Sequence, residues 1–240
     1  MTRRFIITID GPNAVGKTET AQALARLLNY KHINTGAIYR AVAYDALAKH
    51  LSVHDVDGLL EIIHRIRIDF DTQSSAILVN GRDLTRELYT AGTLSFTSEI
   101  AQLPQVRRAL LAVQRQQAEG GGAVAEGRDT GTIVFPDADW KFYFDAADWR
   151  KAERVYELLS PEERLRYPSK ASIIQYIQEI DQRDLTRESS PLRRADDALF
   201  HDTTHSPTPE HDAHILFHYI FHAQDILQNT EILRNKLAGR

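Results

Sequence analysis

The sequence predicts an α/β fold with a mainly parallel central sheet, and three observations carry that expectation. A β-branched apolar run opens the chain, a glycine-containing turn ends it, and an apolar helical stripe begins at once. Further short apolar runs then alternate with helical stretches. Strands that return in the same direction through helices build a parallel sheet covered on both faces.

Phe5-Ile6-Ile7-Thr8-Ile9 reads as a buried parallel strand, and Asp10-Gly11-Pro12-Asn13 as the turn that closes it. From Thr18 the apolar positions Ala21, Leu24, Leu27 and Leu28 follow helical spacing. Residues 38–50 read as helix. The period drops to two at Ile66, Ile68 and Phe70 and again at Ile77 and Val79, and Asn80-Gly81 follows as a tight turn. A small antiparallel excursion is therefore expected there. Residues 99–119 read as one helix with Val106, Leu110 and Val113 on its stripe, stopped by Gly120-Gly121-Gly122. Residues 123–125 and 141–144 read as two more core strands. Residues 149–187 read as charged helix, broken at Ser160-Pro161 and at Pro168. A last short strand is expected at 198–202, then a closing helix at 211–237, with His205-Ser206-Pro207-Thr208-Pro209 before it.

A chain of 240 residues with 42% apolar and 26% charged residues can bury a sizeable core and has the make-up of a soluble globular domain. No apolar run approaches the roughly 18 residues that a membrane span needs, and the N-terminal run is too short for a signal peptide. With no cysteine, disulfides and thiolate metal sites are excluded, and a cytoplasmic setting is expected. The net charge of −4 argues against a dedicated nucleic-acid binder. Arginines nevertheless gather at Arg107/Arg108, at Arg128 and between Arg183 and Arg194, which suits a small polyanion.

Gly11-Pro12-Asn13-Ala14-Val15-Gly16-Lys17-Thr18 matches G-x-x-x-x-G-K-[ST], placed between strand and helix as a phosphate cradle requires. Glycines let successive N–H groups face an anion, and the following helix turns its positive end to the same anion. Lys17 is expected to reach the β- and γ-phosphates of ATP, and the Thr18 hydroxyl to ligate the accompanying Mg²⁺. The cradle leaves the acceptor open.

Three further stretches specify it. They are His32-Ile33-Asn34-Thr35-Gly36-Ala37-Ile38-Tyr39-Arg40, the block from Ala125-Glu126-Gly127-Arg128-Asp129-Thr130-Gly131 to Asp137-Ala138, and Ser190-Pro191-Leu192-Arg193-Arg194-Ala195-Asp196-Asp197-Ala198-Leu199. With the cradle, in this order along nearly the whole chain, they resemble the bacterial cytidylate kinases, nucleoside monophosphate kinases of the P-loop group. The resemblance implies a three-layer P-loop fold with a parallel central sheet, an inserted acceptor-binding subdomain and a mobile helical lid. It divides one domain into a core (1–33, 111–148 and 188–240), an acceptor-binding part with its insert (about 34–110) and a lid (about 149–187).

The resemblance also implies roles. Arg40 and Arg128 match a clamp on the 5′-phosphate of CMP or dCMP. Ser98, Arg107 and Asp129 match positions that read cytosine, and their chemistry fits its N4 donor and its N3 and O2 acceptors. Thr35 matches a hydroxyl residue lining that pocket, and Asp184 and Arg187 match positions near ribose and phosphates. Arg128, Arg154, Arg183 and Arg187 join Lys17 in stabilising the transferring phosphoryl group, and Glu126 is a candidate to hold a water of the Mg²⁺ shell.

The chain departs from the family pattern in the lid and the cradle. Ile180 stands where arginine is usual, with Arg183 a neighbouring substitute, and Lys151 and Val155 replace lid arginines. Glu19 replaces a small hydroxyl residue after Thr18 and is expected to face away from the phosphates. A kinase for another acceptor, or a nucleotide-binding regulator poor in turnover, stays open as an alternative. A monomer is the default expectation. His211, His214, His218 and His222 fall at helical spacing; a packed amphipathic helix is the expectation there, over a zinc or nickel site.

Overall fold

A computed structural model describes residues 4–222 apart from 166 and 168, with only the backbone of residue 163. Five strands form the main sheet: β1 (Ile6–Asp10), β2 (Lys31–Asn34), β6 (Ala123–Gly127), β7 (Trp140–Asp145) and β8 (Leu199–Asp202), in the order β2-β6-β1-β7-β8. Every pairing in it is parallel. A separate antiparallel sheet, β3 (Ile68–Phe70), β4 (Ile77–Val79) and β5 (Arg82–Asp83), is the excursion expected after Ile66.

Side chains alternate between the two faces of a strand, and the cores follow that alternation. Ile7, Ile9, Val124, Phe142 and Phe144 are buried on one face against α1 (Lys17–Leu28) and a helix at 209–222, here α9. Ile33, Ala123 and Ala125 are buried on the other. They lie against α2 (Thr35–Ala48), α3 (Val56–Arg65), α4 (Ala91–Ile100) and α5 (Pro104–Gln116). These are the three layers. A fully buried Ile, Leu or Phe contributes about 1.5–3 kcal/mol, so the two cores supply most of what holds the layers together. Over the end of the sheet lie α6 (Asp148–Leu158), α7 (Pro161–Arg164) and α8 (Lys170–Thr186); α6 and α8 share a small core of Ala152, Ile173 and Ile177.

Several elements differ from the sequence reading. β2 was not expected, because Lys31-His32 reads as polar; His32 is nonetheless buried, and burial pushes its pKa down to about 4, so it packs as a neutral ring. α2 starts at Thr35, three residues before 38, because the Asn34 side chain caps it by accepting from the Ala37 N–H at 2.8 Å. α3, capped by Asp55 and buried through Leu59, Ile62 and Ile63, was missed altogether. The single helix expected at 99–119 is two, α4 and α5: the chain leaves the helix after Ile100, and Pro104 starts the next at the position proline favours. The break at Ser160-Pro161 falls between α6 and α7. The break at Pro168 and the helix beyond residue 222 lie outside the described residues.

Gly11 is where the sheet admits only glycine. A Cβ built there would come 2.3 Å from the Phe144 carbonyl oxygen of β7. We expect Gly11→Ala to lower stability by about 2 kcal/mol, the usual cost of forcing extra volume into a packed site. Thermal unfolding checks this; an unchanged melting temperature would show that the β1–β7 approach is not tight.

Candidate active site

β1 runs into the loop at residues 11–16, and α1 begins at Lys17, so the cradle has the strand–loop–helix geometry its motif requires. Gly16 sits in the left-handed region (φ 85°) and Ala14 also has positive φ (58°), the backbone reversals that turn N–H groups inward. Lys17 is buried and its ammonium donates to the Pro12 carbonyl. Burial, reinforced by the Arg128 charge, pushes its pKa down to about 7. The Thr18 hydroxyl donates to Glu126 Oε1 at 2.9 Å, which brings two oxygen ligands suited to a hard cation together. Among the described residues no cluster of three or more His, Asp or Glu could hold a metal by itself. The histidines at 211, 214, 218 and 222 are exposed along α9. Glu19 is exposed in the first turn of α1.

Other segments hold the cradle from outside. Asp181 of α8 accepts from both the backbone N–H and the side-chain amide of Asn13, each at 2.8 Å. Arg154 of α6 donates to the Ala14 carbonyl (3.1 Å) and to the carbonyl and hydroxyl oxygens of Thr203. The buried Thr203 hydroxyl in turn donates to the Val15 carbonyl at 2.9 Å. Burial draws the Arg154 pKa below its ordinary value.

On the β6 side a cluster of arginines and carboxylates meets the cradle. Arg128, just past β6, donates through Nε to Asp184 at 2.9 Å and through Nη2 to the Asn13 side chain. Arg187 donates to the other Asp184 oxygen at 3.0 Å, and burial lowers its pKa. Deeper, the buried Arg107 guanidinium lies 2.6 Å from Asp129 Oδ2 and donates to the Ala101 carbonyl. Tyr39 lies under the Arg107 guanidinium at 5.3 Å, and its hydroxyl pKa is pushed up to about 12 by burial. Arg40 is held by Asn34 and by the ring and hydroxyl of Tyr89. Thr35 donates to the Glu126 carbonyl at 2.8 Å. Arg40 Nε, Arg107 Nε and Arg187 Nη2 are all buried without an acceptor among the described residues. Unsatisfied buried donors are costly.

The structure thus links Arg107, Arg128, Asp129, Asp184 and Arg187 in one charged cluster beside the cradle, holds Arg40 against Asn34 and Tyr89, and gathers Lys17, Thr18 and Arg154 around the cradle. Two residues stand apart. Ser98 is half-buried on α4, one turn before the carbonyl that Arg107 holds, and its own carbonyl accepts from Gln102. Arg183 is exposed on α8, along a cleft of about 910 Å³ that Pro12, Tyr143 and Lys151 also line. Sequence reasoning missed Asp181 as a partner of the cradle and Tyr89 as a partner of Arg40; no motif marks either.

Lys151, which replaces a lid arginine of the family pattern, lies in a nest of carboxylates. Its ammonium is buried among Asp145 (3.1 Å), Asp148 (3.7 Å) and Asp181 (3.9 Å). It pins α6 to α8 and to the carboxylate that holds Asn13. Val155, the other replacement, packs on the small apolar core of α6 and α8.

A strand, a glycine cradle with a buried lysine, and a hydroxyl opening the helix define a P-loop phosphotransferase. A sequence profile of the family described as cytidylate kinase matches residues 7–217. A cytidylate kinase of Geobacter sp. (strain M21) is 39% identical over 201 residues, 83% of this chain and 85% of that one. One from Geobacillus kaustophilus (strain HTA426) is 39% identical over 209 residues, 85% and 91% of the two chains. One from Coxiella burnetii (strain RSA 493 / Nine Mile phase I) is 38% identical over 204 residues, covering 83% and 85%. The chain belongs to the cytidylate kinase family.

Two expectations follow from this geometry. With a Lys17 pKa of about 7, the side chain is largely the neutral amine at pH 8 in the free protein, and bound phosphates raise its pKa. ATP binding at pH 8 should therefore take up close to one proton; calorimetry in buffers of different ionisation enthalpy measures this, and Lys17→Met should abolish it. Lys151→Met leaves three carboxylates without their cation. It should cost about 1–2 kcal/mol in urea unfolding at neutral pH, the buried-pair penalty reduced because two of the three acids are half-exposed.

Proposed function

We propose that the chain transfers the γ-phosphoryl group of ATP to CMP or dCMP, giving ADP and CDP or dCDP. Family membership supports the reaction. The observation that carries it is Arg128, whose guanidinium spans from Asp184 of the acceptor pocket to Asn13 of the cradle. Phosphoryl transfer needs donor and acceptor phosphates side by side, and Arg128 stands between the two sites.

In this reading the loop at 11–16 and the N-terminal turn of α1 hold the ATP phosphates, with Lys17 on the β- and γ-oxygens. Thr18 and Glu126 would hold Mg²⁺ or its water shell. The ion, bound with ATP, would neutralise phosphate charge. Arg40 and Arg128 clamp the acceptor phosphate, as forked guanidinium groups suit an oxyanion. Asp129 gives Oδ2 to Arg107, and its Oδ1 accepts the exocyclic amine of cytosine, while Arg107 and Ser98 donate to the ring acceptors. Thr35 lines the pocket; Asp184 and Arg187 face the ribose and phosphates. The acceptor phosphate has a second pKa of about 6 and is already an anion near pH 7, so no general base is required. Lys17, Arg128, Arg154 and Arg187 then have one task, spreading the charge of the transferring group, which Arg183, exposed on α8, would join on closure. Closing α6–α8 over ATP would keep water out. A monomeric, cytoplasmic enzyme is part of this reading.

An acceptor panel with ADP release as readout tests the reading. CMP and dCMP should lead, and Lys17→Ala should remove nearly all turnover while leaving the melting profile intact. Asp129→Ala should reduce kcat/KM for CMP by roughly 10- to 100-fold and that for UMP much less, since it leaves the N4 amine without an acceptor. Equal losses for both acceptors would mean that Asp129 does not read the base.

A further inference from the structure

Asp10 is a buried hydrogen-bond acceptor at the end of β1, immediately before the cradle. Three donors converge on it. The Thr130 N–H and hydroxyl reach Oδ1 at 2.8 and 2.7 Å, and the Gly131 N–H reaches Oδ2 at 2.7 Å. It makes no ion pair among the described residues. The nearby Lys17 ammonium donates to Pro12, and Lys141 donates to Pro136 and pairs with Asp197. A buried carboxylate satisfied only by neutral donors is an expensive way to hold a fold, because its charge loses solvation without gaining a counter-ion.

What the three bonds hold is the start of a π-helical turn, Thr130–Val134, directly after Asp129. The neighbouring backbone is pressed into place as well. A Cβ on Gly131 would lie 2.8 Å from the Thr8 hydroxyl and 3.3 Å from Asp10 Oδ2, and one on Gly127 would lie 2.4 Å from the Thr35 hydroxyl. The Asp129 carbonyl accepts from Ile133 and Val134 in the same turn. Residues 127–131 are thus fixed between β1 and α2, and Asp10 supplies the bonds on the β1 side.

We propose that Asp10 is a positioning residue for acceptor specificity: it ties the Thr130-Gly131 turn to the strand that carries the cradle, and so fixes where Asp129 meets the acceptor base. Asp10 touches no substrate itself. The proposal rests on the reading that Asp129 reads cytosine. It assigns to the first strand of the donor site a role in choosing the acceptor. Asn at this position would keep one oxygen but turn an amide donor toward one of the N–H groups. Thr130→Val would remove a single bond at constant shape.

Steady-state kinetics of wild type, Asp10→Asn and Thr130→Val with CMP, UMP and ATP test it. For Asp10→Asn we expect KM for CMP to rise about tenfold, with the preference for CMP over UMP falling by a similar factor. KM for ATP should stay within about twofold, and Thr130→Val should shift the same quantities in the same direction by less. A merely structural role would lower the active fraction or kcat and leave both the preference and the ratio of the two KM values unmoved. That result overturns the proposal, as does a parallel rise in both KM values. Should Asp10→Asn fail to fold, Thr130→Val decides by the same criteria. A wild-type protein that does not prefer CMP to UMP would overturn the cytosine reading and this proposal with it. A wild-type preference that survives both substitutions would overturn only the role of Asp10.

Discussion

All five strands of the main sheet run the same way, and the site depends on that constraint. Parallel strands deliver their C-terminal ends to one edge, and chemistry-bearing loops gather there. Asp10 and the cradle leave β1 at that edge, Asn34 and Thr35 leave β2, Gly127 to Asp129 leave β6, Asp145 leaves β7 and Thr203 leaves β8. Residues separated by more than a hundred positions therefore meet: Thr18 with Glu126, Arg128 with Asn13, Thr203 with Val15.

Charge at this edge is arranged in balanced groups. Arg128 and Arg187 share Asp184, Arg107 faces Asp129, and Lys151 faces three aspartates. Such pairing lets cations be buried near one another without mutual repulsion dominating. It also leaves each acceptor-site arginine with donors to spare, because a guanidinium has five N–H groups and the acids occupy only some of them. The same logic explains the departure at residue 151. A lysine ammonium, compact and with three donors, fits a nest of carboxylates at 3.1–3.9 Å better than a planar fork would.

The sequence was most legible where local chemistry dictates local structure. The glycine cradle, β1, the start of α1 and the antiparallel excursion after Ile66 all stand where periodicity and turn residues place them. It was less legible where tertiary burial overrides residue type: β2 hides behind Lys31 and His32, and only the neighbouring strand β6 and the helices make them strand. α3 and the division before Pro104 were readable, from the Leu59/Ile62/Ile63 stripe with Asp55 before it and from proline's preference for the first helical turn. In the site, residue types carried the cradle, and resemblance carried Arg128 and Asp129. Partner choice was beyond both. Nothing local indicates that Asp181 will cap Asn13, that Tyr89 will hold Arg40, or that Lys151 will turn toward acids at 145, 148 and 181.

In the proposed reaction Arg128 joins a nucleoside monophosphate to the ATP cradle. An experimental structure with an unreactive ATP analogue and CMP bound together tests it most directly. In that complex the Arg128 guanidinium should lie within hydrogen-bond distance of the CMP phosphate and Asp129 on the cytosine amine. CMP bound elsewhere, with Arg128 still engaged only with Asn13 and Asp184, would contradict it.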